Sequence, residues 1–488
     1  MNHIKSGLLT AMFAAVGAML FASCSDEIVI GNRDTSEEFG GVYENNVYLR
    51  DGQTGQASAV VELSGKDYVT PIKVGWSKAG GLTVPVKMHV DADYLAVYNQ
   101  QHATDFSLYP LELVSFENEG VLTPDASKNQ AELKMTIRAW EEMEDDKTYA
   151  IPVTVAANTV RSADGNGMNV DNIGHCVYLV KGMGGLINEV NKGEGLPKGF
   201  LFFEVNEVNP LNALGFRLEN GKLLWDVVVL FAANINKDPD TGMPRVTCND
   251  NVQFLLDNNE EFLQPLRKHG IKVLLGLLGN HDETGLAQLS DMGAKYFAAE
   301  VASYCERYNL DGVNYDDEYS KLPDLSNPAL APSGYDRAAR LCYETRLAMP
   351  DKLVTVFSYG HMGHTGFPTE IEGKPIREWV DIVVPNYGGR ADAHGSLTNK
   401  ECAYFAMELA AGGGGDFTKS QAEGLLNGGY GWFMGFAPNP KNYQRVFSRL
   451  RQGGAETLYG SELLEPTIYY RKRDANPYPY DPNDSYFK

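Results

Sequence analysis

Apolar positions follow two rhythms along the chain, and the change falls near residue 200. Between about 41 and 181 they alternate with polar residues in short runs: VYLRD, ASAVVEL, TPIKVGWS, LTVPVKMHVD, AELKMTIRAW and YAIPVTVAAN. A period of two, broken by Gly, Pro, Asn and Asp, marks strands with one buried face. One longer stretch, DADYLAVYNQQHA, reads as a helix. The segment 41–181 therefore predicts an all-β sandwich of roughly immunoglobulin size. KGMGGLINEVNKGEGLPKG (181–199) is rich in glycine, but its spacing is not that of a phosphate-cradling GxGxxG loop, and it reads as a domain junction.

From Phe200 onward the apolar runs become nearly continuous and alternate with amphipathic stretches. The strand-like runs are FLFFEVN, LWDVVVLFAANIN, IKVLLGLLGN, NLDGVNYDD, KLVTVFSYG, WVDIVVPNYGG, ECAYFAMELA and GYGWFMGFAP. ECAYFAMELA also fits a helix. Between them lie helical patterns such as VQFLLDNNEEFLQPLRKHG, GLAQLSDMGAKYFAAEVASYCERYN, YDRAARLCYETRLAMP, KSQAEGLLN and NYQRVFSRLRQ. Strands buried on both faces and separated by helices imply a parallel sheet. Eight such units over about 265 residues predict an α/β fold, a (β/α)8 TIM barrel. The expected organisation is a signal peptide at 1–23, a tether at 24–40, the sandwich at 41–181, a linker at 182–199, the barrel at 200–465 and a C-terminal extension at 466–488.

In such a barrel the chemistry sits where strands end. The predicted strands end in Glu204 and Asn206, Asn234, Asn280 and His281, and Asn386 and Tyr387. The fourth runs into Asp316, Asp317 and Glu318, although carboxylates are depleted in strands. Alternation places Asn314, Asp316 and Glu318 on one face and Val313, Tyr315 and Asp317 on the other. If the first face points inward, two carboxyl groups converge, and each disfavours the ionisation of the other. A raised carboxyl pKa suits a general acid. The alternative is a solvated strand end or a structural ion pair. Glu204 and the asparagines at strand ends serve equally as structural caps, and core packing is the alternative for Trp432.

These residues carry a resemblance. LDGVNYDDEY resembles the DxxDxDxE signature of family 18 glycoside hydrolases, with Asn314 in place of the middle Asp. The DDEY ending resembles the endo-β-N-acetylglucosaminidases of that family. FEVNEVNPLNA (203–213), WDVVVLFAANIN (225–236), KVLLGLLGNHD (272–282) and GYGWFMGFAPN (429–439) resemble that subgroup's strands in the same order, so the likeness covers about 197–460. The N-terminal half resembles, more weakly, the sandwich module ahead of such barrels in Bacteroidetes lipoproteins.

The resemblance implies cleavage of the GlcNAc-β1,4-GlcNAc bond of an N-glycan core, with high-mannose glycans expected, by a substrate-assisted retaining route. It implies Glu318 as the acid and base, Asp316 as the group that orients the substrate acetamido N–H, and Tyr387 as donor to the acetamido oxygen. Trp432 is expected to floor the reacting sugar from the end of the eighth strand. Asn314, Glu204, Asn206, Asn234, Asn280, His281 and Asn386 are candidate sugar contacts. Asn314 cannot ionise, which implies an altered pH dependence. A chitinase-like enzyme on GlcNAc oligomers and a non-catalytic glycan-binding protein are the competing readings. No cofactor or metal is expected.

Composition narrows the partners. A net charge of −22 and a pI near 4.9 argue against nucleic acid, which demands a basic face. The segment MNHIKSGLLTAMFAAVGAMLFASCSDE has a basic head and an apolar run too short to span a membrane. Its LFASC ending resembles a bacterial lipobox, implying lipidation at Cys24, a surface location on the outer membrane and neighbouring glycan-uptake proteins as candidate partners. Cys176, Cys248, Cys305, Cys342 and Cys402 lack the spacing of a zinc or disulfide framework and read as buried apolar residues. His361 and His364 in GHMGH lack a third ligand at a set spacing. KDPDTGMPRVTCNDN (237–251) reads as a variable loop, and GGGG (412–415) as a rim turn.

Overall fold

The computed structural model describes residues 47–487 apart from 64, 77–81, 83, 126, 145–146, 157–173 and 184–185. Cys24, the signal segment and the tether lie outside the described residues. In the first domain β1 (Val47–Asp51), β3 (Tyr68–Trp76), β8 (Gln130–Ile137) and β6 (Val114–Phe116) form one sheet in the order β1-β3-β8-β6. The second sheet runs β2 (Ser58–Leu63), β10 (Cys176–Gly182), β9 (Thr148–Val155), β4 (Val86–Val90) and β7 (Val121–Leu122), with β5 (Ser107–Leu108) beside β9. The inner face of each strand is apolar, and Trp76, Tyr109, Met135 and Tyr178 close a core between the sheets. DADYLAVYNQQHA supplies α1 (Tyr94–His102). The strand β10 is absent from the sequence-predicted set because CVYLVKG carries no period-two alternation.

The second domain is the expected barrel. Its strands are β11 (Lys198–Glu204), β12 (Trp225–Lys237), β14 (Lys272–Leu278), β15 (Gly312–Asp316), β16 (Leu353–Ser358), β19 (Ile382–Pro385), β20 (Ala403–Glu408) and β21 (Trp432–Phe436). They pair in parallel in the order β19-β16-β15-β14-β12-β11-β21-β20. One bridge, Val383 to Cys402, with bonds from Gly388 N to Ala406 O and Ala391 N to Ala403 O, joins β19 to β20 and closes the ring. ECAYFAMELA is thus a strand. Phe200, Phe202, Val227, Val229, Leu274, Val384 and Met434 fill the interior, and a larger apolar layer packs between strands and helices.

Three local expectations change. The long helix after β12 is three short ones, α2 (Asp250–Asp257), α3 (Asn259–Phe262) and α4 (Gln264–Lys268). Asn258, the C-cap of α2, and Pro265, which donates no backbone bond, interrupt it. The next helix, α5 (Asp291–Arg307), starts where the Ser290 hydroxyl caps Gly293 N, so Gly285–Ser290 lies outside it. Residues 237–251 are not simply a variable loop, because β13 (Pro244–Thr247) folds back antiparallel onto β12. The short hairpin β17 (Glu370–Ile371) and β18 (Lys374–Pro375) lies between β16 and β19, and the remaining helices are α6 (Tyr335–Ala348), α7 (Lys419–Asn427) and α8 (Tyr443–Leu450).

The stretch after β10 is docked rather than free. Ile187 N and Glu189 N bond to Lys268 O and His269 O. The Lys192 ammonium is buried 2.6 Å from Asp226, which also accepts from Gly199 N at 2.8 Å. The C-terminal extension forms the hairpin β22 (Ile468–Tyr470) and β23 (Pro477–Pro479). Asn209 and Asn212 donate to Arg471 O, Asp474 O and Tyr470 O, so the extension covers the loop after β11, where only a 3-10 turn (Pro210–Gly215) stands in place of a helix.

The sandwich sits against the end of the barrel where strands begin. Lys181 of β10 reaches Asp351, just ahead of β16, at 3.1 Å, and the Thr148 hydroxyl of β9 donates to the same carboxylate at 3.0 Å. Lys272, the first residue of β14, joins Glu62 of β2 to Asp311. The lysine charges outweigh burial and hold Asp311 and Asp351 down at about 2, against an ordinary 3.8. A carboxylate with a depressed folded pKa stabilises the fold above its unfolded pKa, and that contribution is lost as pH falls through the folded value. The seam should therefore loosen between pH 4 and 2. Asp351→Asn leaves Lys181 buried without its partner and is expected to cost about 3–5 kcal/mol, read as a lower denaturation midpoint at neutral pH, with the gap to wild type closing in acid.

Candidate active site

The site is built on β15. Gly312 opens the strand at φ +151°, where an added Cβ would lie 2.1 Å from Leu353 O, so no side chain fits. Val313 and Tyr315 then point outward, and the Tyr315 hydroxyl meets Thr345 of α6 at 2.7 Å. Asn314 and Asp316 are buried on the inner face. The strand stops at Asp316, two residues short of the alternation used to place Glu318. Glu318 reaches the same cavity through a turn, in which its N–H bonds Asp316 O and its carbonyl accepts from Gly279 N. Tyr319 follows at φ +61°. Asp317 points elsewhere and accepts from His361 N at 2.9 Å, with the His361 ring 3.2 Å away.

A cavity of about 460 Å³ opens over this turn. Glu204, Asp316, Glu318, Asn386 and Tyr387 provide its polar lining, and Phe202, Phe231, Phe357, Met434 and Phe436 its apolar floor, with Tyr319 and Tyr359 at the rim. Burial, then the charges of Glu318 and Asp317, push the Asp316 carboxyl well above the usual carboxylate range. Burial, reinforced by Asp317, also raises Glu318, and burial raises Glu204. Desolvation and the nearby carboxylates keep the Tyr387 hydroxyl protonated far past neutrality. The lining thus offers a carboxyl whose acid form is favoured by burial, a second, more deeply buried carboxyl and a phenolic hydrogen-bond donor, set on an aromatic surface suited to the C–H faces of a sugar.

Of the other sequence candidates, Glu204 and Asn386 join this cavity and the rest do not line it. Asn206 binds Asn251 Nδ2 and Lys472 Nζ at the foot of the C-terminal extension. Asn234 donates to Gly279 O at 3.1 Å and thereby caps β14. Asn280 donates to Asn236, and His281, whose N–H bonds Tyr319 O, sets its ring 5.4 Å from that of Tyr319 on the rim. Trp432 is a correction. It is the first residue of β21, not the last, and pairs with Lys198 at the start of β11, whose ammonium lies 5.5 Å from its ring. It shares the inner face with Met434 and Phe436, but four residues at about 3.3 Å each separate it from the mouth. Phe436 occupies the place expected for Trp432.

Sequence reasoning missed Phe231, Phe357 and Phe436. Their signal was present, since each is an inward-facing position, Phe357 and Phe436 at the ends of their strands and Phe231 midway along the long β12. His361 and His364 serve the loop: His364 lies between Ser358 and Asp392 O. Among the described residues, no group of three or more His, Cys, Asp or Glu is placed to hold a metal ion. Cys176, Cys305, Cys342 and Cys402 are buried free thiols, and Cys248 is half-buried.

The chain is similar to several known proteins. A family model for an N-terminal domain matches residues 43–161. Endo-β-N-acetylglucosaminidase F1 of Elizabethkingia meningoseptica is 42% identical over 279 residues, 56% of this chain and 82% of the relative. An endo-β-N-acetylglucosaminidase of a Flavobacterium species (strain SK1022) is 34% identical over 165 residues, 34% of this chain and 51% of its own. The crystal structure of Bacteroides thetaiotamicron EndoBT-3987 with a Man5GlcNAc product matches with a TM-score of 0.83 at 57% identity, covering 89% of this chain and 99% of that one. The same enzyme with a Man9GlcNAc2Asn substrate matches with a TM-score of 0.77.

The placement of the two aromatic residues separates their roles. Phe436→Ala should weaken substrate binding, with KM rising several-fold and the melting temperature changing little. Trp432→Ala should lower the melting temperature and leave KM near the wild-type value, because it removes packing at the opposite end of the barrel. Thermal denaturation alongside steady-state kinetics on each variant checks both.

Proposed function

This chain belongs to the endo-β-N-acetylglucosaminidase family, and on that premise we propose that it hydrolyses the GlcNAc-β1,4-GlcNAc bond in the core of N-glycans, leaving one GlcNAc on the protein. The observation that carries the reading is the pairing of Asp316, buried and pushed toward its neutral form, with the half-exposed Glu318 in a cavity whose third polar group is the Tyr387 hydroxyl. High-mannose glycans are the favoured substrates, supported by the Man5GlcNAc and Man9GlcNAc2Asn complexes of the Bacteroides relative.

The reaction follows from these groups. Glu318 protonates the glycosidic oxygen as its bond to the anomeric carbon breaks. The substrate's own acetamido oxygen attacks that carbon and forms an oxazolinium ion, so the nucleophile is intramolecular and has a high effective concentration. Asp316, as carboxylate, accepts the acetamido N–H and offsets the positive charge that develops there. Tyr387, protonated throughout, donates to the acetamido oxygen. The Glu318 carboxylate then takes a proton from water as the water opens the ring, and the configuration is retained. Because Glu318 is raised, the acid form persists to higher pH than a free carboxyl would allow, and activity falls as pH rises through its pKa.

We assign the chain to the outer cell surface, held by lipid on Cys24. The support is the sequence LFASC after a short apolar run. Cys24→Ala should move the protein from the membrane to the soluble fraction without changing its activity in detergent.

Intact-mass spectrometry of a high-mannose glycoprotein tests the activity. The wild type should leave one N-acetylhexosamine per site, and Glu318→Gln should slow release by about 10²–10⁴-fold. Cleavage of GlcNAc oligomers with no action on the glycoprotein would establish the chitinase-like reading instead. Binding without cleavage of either would make the protein a glycan-binding module.

A further inference from the structure

The acid of the reaction stands on a turn that leans toward one side of the barrel. Glu318 follows β15, and its carbonyl accepts from Gly279 N, just past β14, at 3.1 Å. The next carbonyl, Tyr319 O, accepts from His281 N at 2.6 Å. Tyr387 follows β19, which lies beyond β16 on the side of β15 away from β14. In the reaction assigned above, on which this inference rests, Tyr387 holds the acetamido oxygen of the reacting sugar and Glu318 protonates the leaving oxygen. The leaving group is the innermost GlcNAc with its asparagine and the polypeptide attached. It therefore departs over the loops that follow β14 and β15.

The loop after β15 presents grouped apolar side chains to water. Leu322 is 88% exposed, the highest value for a large apolar side chain among the described residues, with Leu325 at 61% and Tyr319 at 56%. Tyr319 also lines the cavity, and the His281 ring stands beside it, so the patch is continuous with the site. Looseness does not account for the exposure. Lys321 N donates to Asp282 O at 2.8 Å, and Lys321 O accepts from Gln288 Nε2 at 2.9 Å. Asn327 Nδ2 donates to Gly242 O at 2.7 Å, and the Ser290 hydroxyl to Pro328 O at 2.7 Å. The charges nearby balance: Lys237 pairs with Glu283, and Lys321 and Asp324 carry opposite signs within residues 319–325. A pinned loop that holds clustered apolar groups in water, with no net charge of its own, is built for an apolar contact.

We propose that Leu322 and Leu325 form a docking surface for the polypeptide of the glycoprotein substrate, where apolar side chains flanking the glycosylated asparagine come to rest. The sandwich cannot cover this surface, because it packs on the opposite end of the barrel. The sugar rings are held in the cavity, and the surface adds affinity that depends on the peptide and not on the glycan.

Steady-state kinetics on three probes carrying the same high-mannose glycan tests this. One is the glycan on a single asparagine. The second is a short peptide with leucine and phenylalanine beside that asparagine, and the third the same peptide with serine and glycine there. The wild type should show its lowest KM on the second probe. Leu322→Ser combined with Leu325→Ser should raise that KM about tenfold, the scale of leaving part of two leucine side chains in water. On the single asparagine the double variant should match the wild type in kcat and KM, and its melting temperature should not fall. If the double variant does not fold, Leu322→Ser alone, at the more exposed position, carries the test. Equal KM values for the wild type on all three probes overturn the proposal. So does an equal loss on the single asparagine, which would place the leucines against sugar. A wild type that dimerises in sedimentation while the double variant stays monomeric makes a second copy the occupant and also overturns it. A wild type that releases glycan from none of the probes overturns the N-glycan reading itself, and this proposal with it.

Discussion

The organising constraint is the burial of a carboxyl group in a barrel interior that supplies it no cation. Asp316 sits among Phe202, Phe231, Phe357 and Met434, with other acids as its nearest charged neighbours. Placing an unpaired charge there is costly, and burial shifts the group toward its neutral form. That burden has a function only if something later makes the ionised form favourable. A substrate that brings its own N–H and then develops positive charge beside the carboxyl does so, and a sugar without an acetamido group does not. Selectivity and catalysis therefore have the same physical origin.

The rest of the molecule keeps that arrangement intact. Gly312 lets the backbone of β15 press against Leu353 of β16, which brings Asn314 level with Thr355. Outside the ring, Tyr315 is tied to α6. The charged seam under Lys181, Lys272, Asp311 and Asp351 fixes the sandwich to the end where strands begin, so the mouth stays uncovered. Charges are paired at that seam, and the carboxyl groups at the mouth have no cation among the lining residues.

Much of this was legible in the chain. The shift from alternating to continuous apolar runs separated sandwich from barrel, and all eight barrel strands lie where those runs occur. The acidic turn was visible because carboxylates at a strand end have no packing explanation. The eighth strand was read correctly as a strand but with its ends confused. GWFMGF offers Trp432, Met434 and Phe436 at the same inward spacing, and periodicity alone does not say which end is the mouth. The strand-end asparagines look alike in sequence, yet Asn386 lines the cavity while Asn234 caps a neighbouring backbone. That difference depends on where each loop turns, which contacts distant in the chain decide.

The tie between the loop after β11 and the C-terminal hairpin has a consequence for how the domain is made. Asn209 donates to Arg471 O across 262 positions of chain, and Asn212 binds both Tyr443 and Tyr470. During synthesis the opening unit of the barrel emerges long before the residues that cover it. Its apolar turn, Pro210–Gly215, must wait exposed, with β11 also lacking β21 on one side. The barrel cannot close one unit at a time from its start, and its earliest stretch stays uncovered until the hairpin of β22 and β23 has folded onto it.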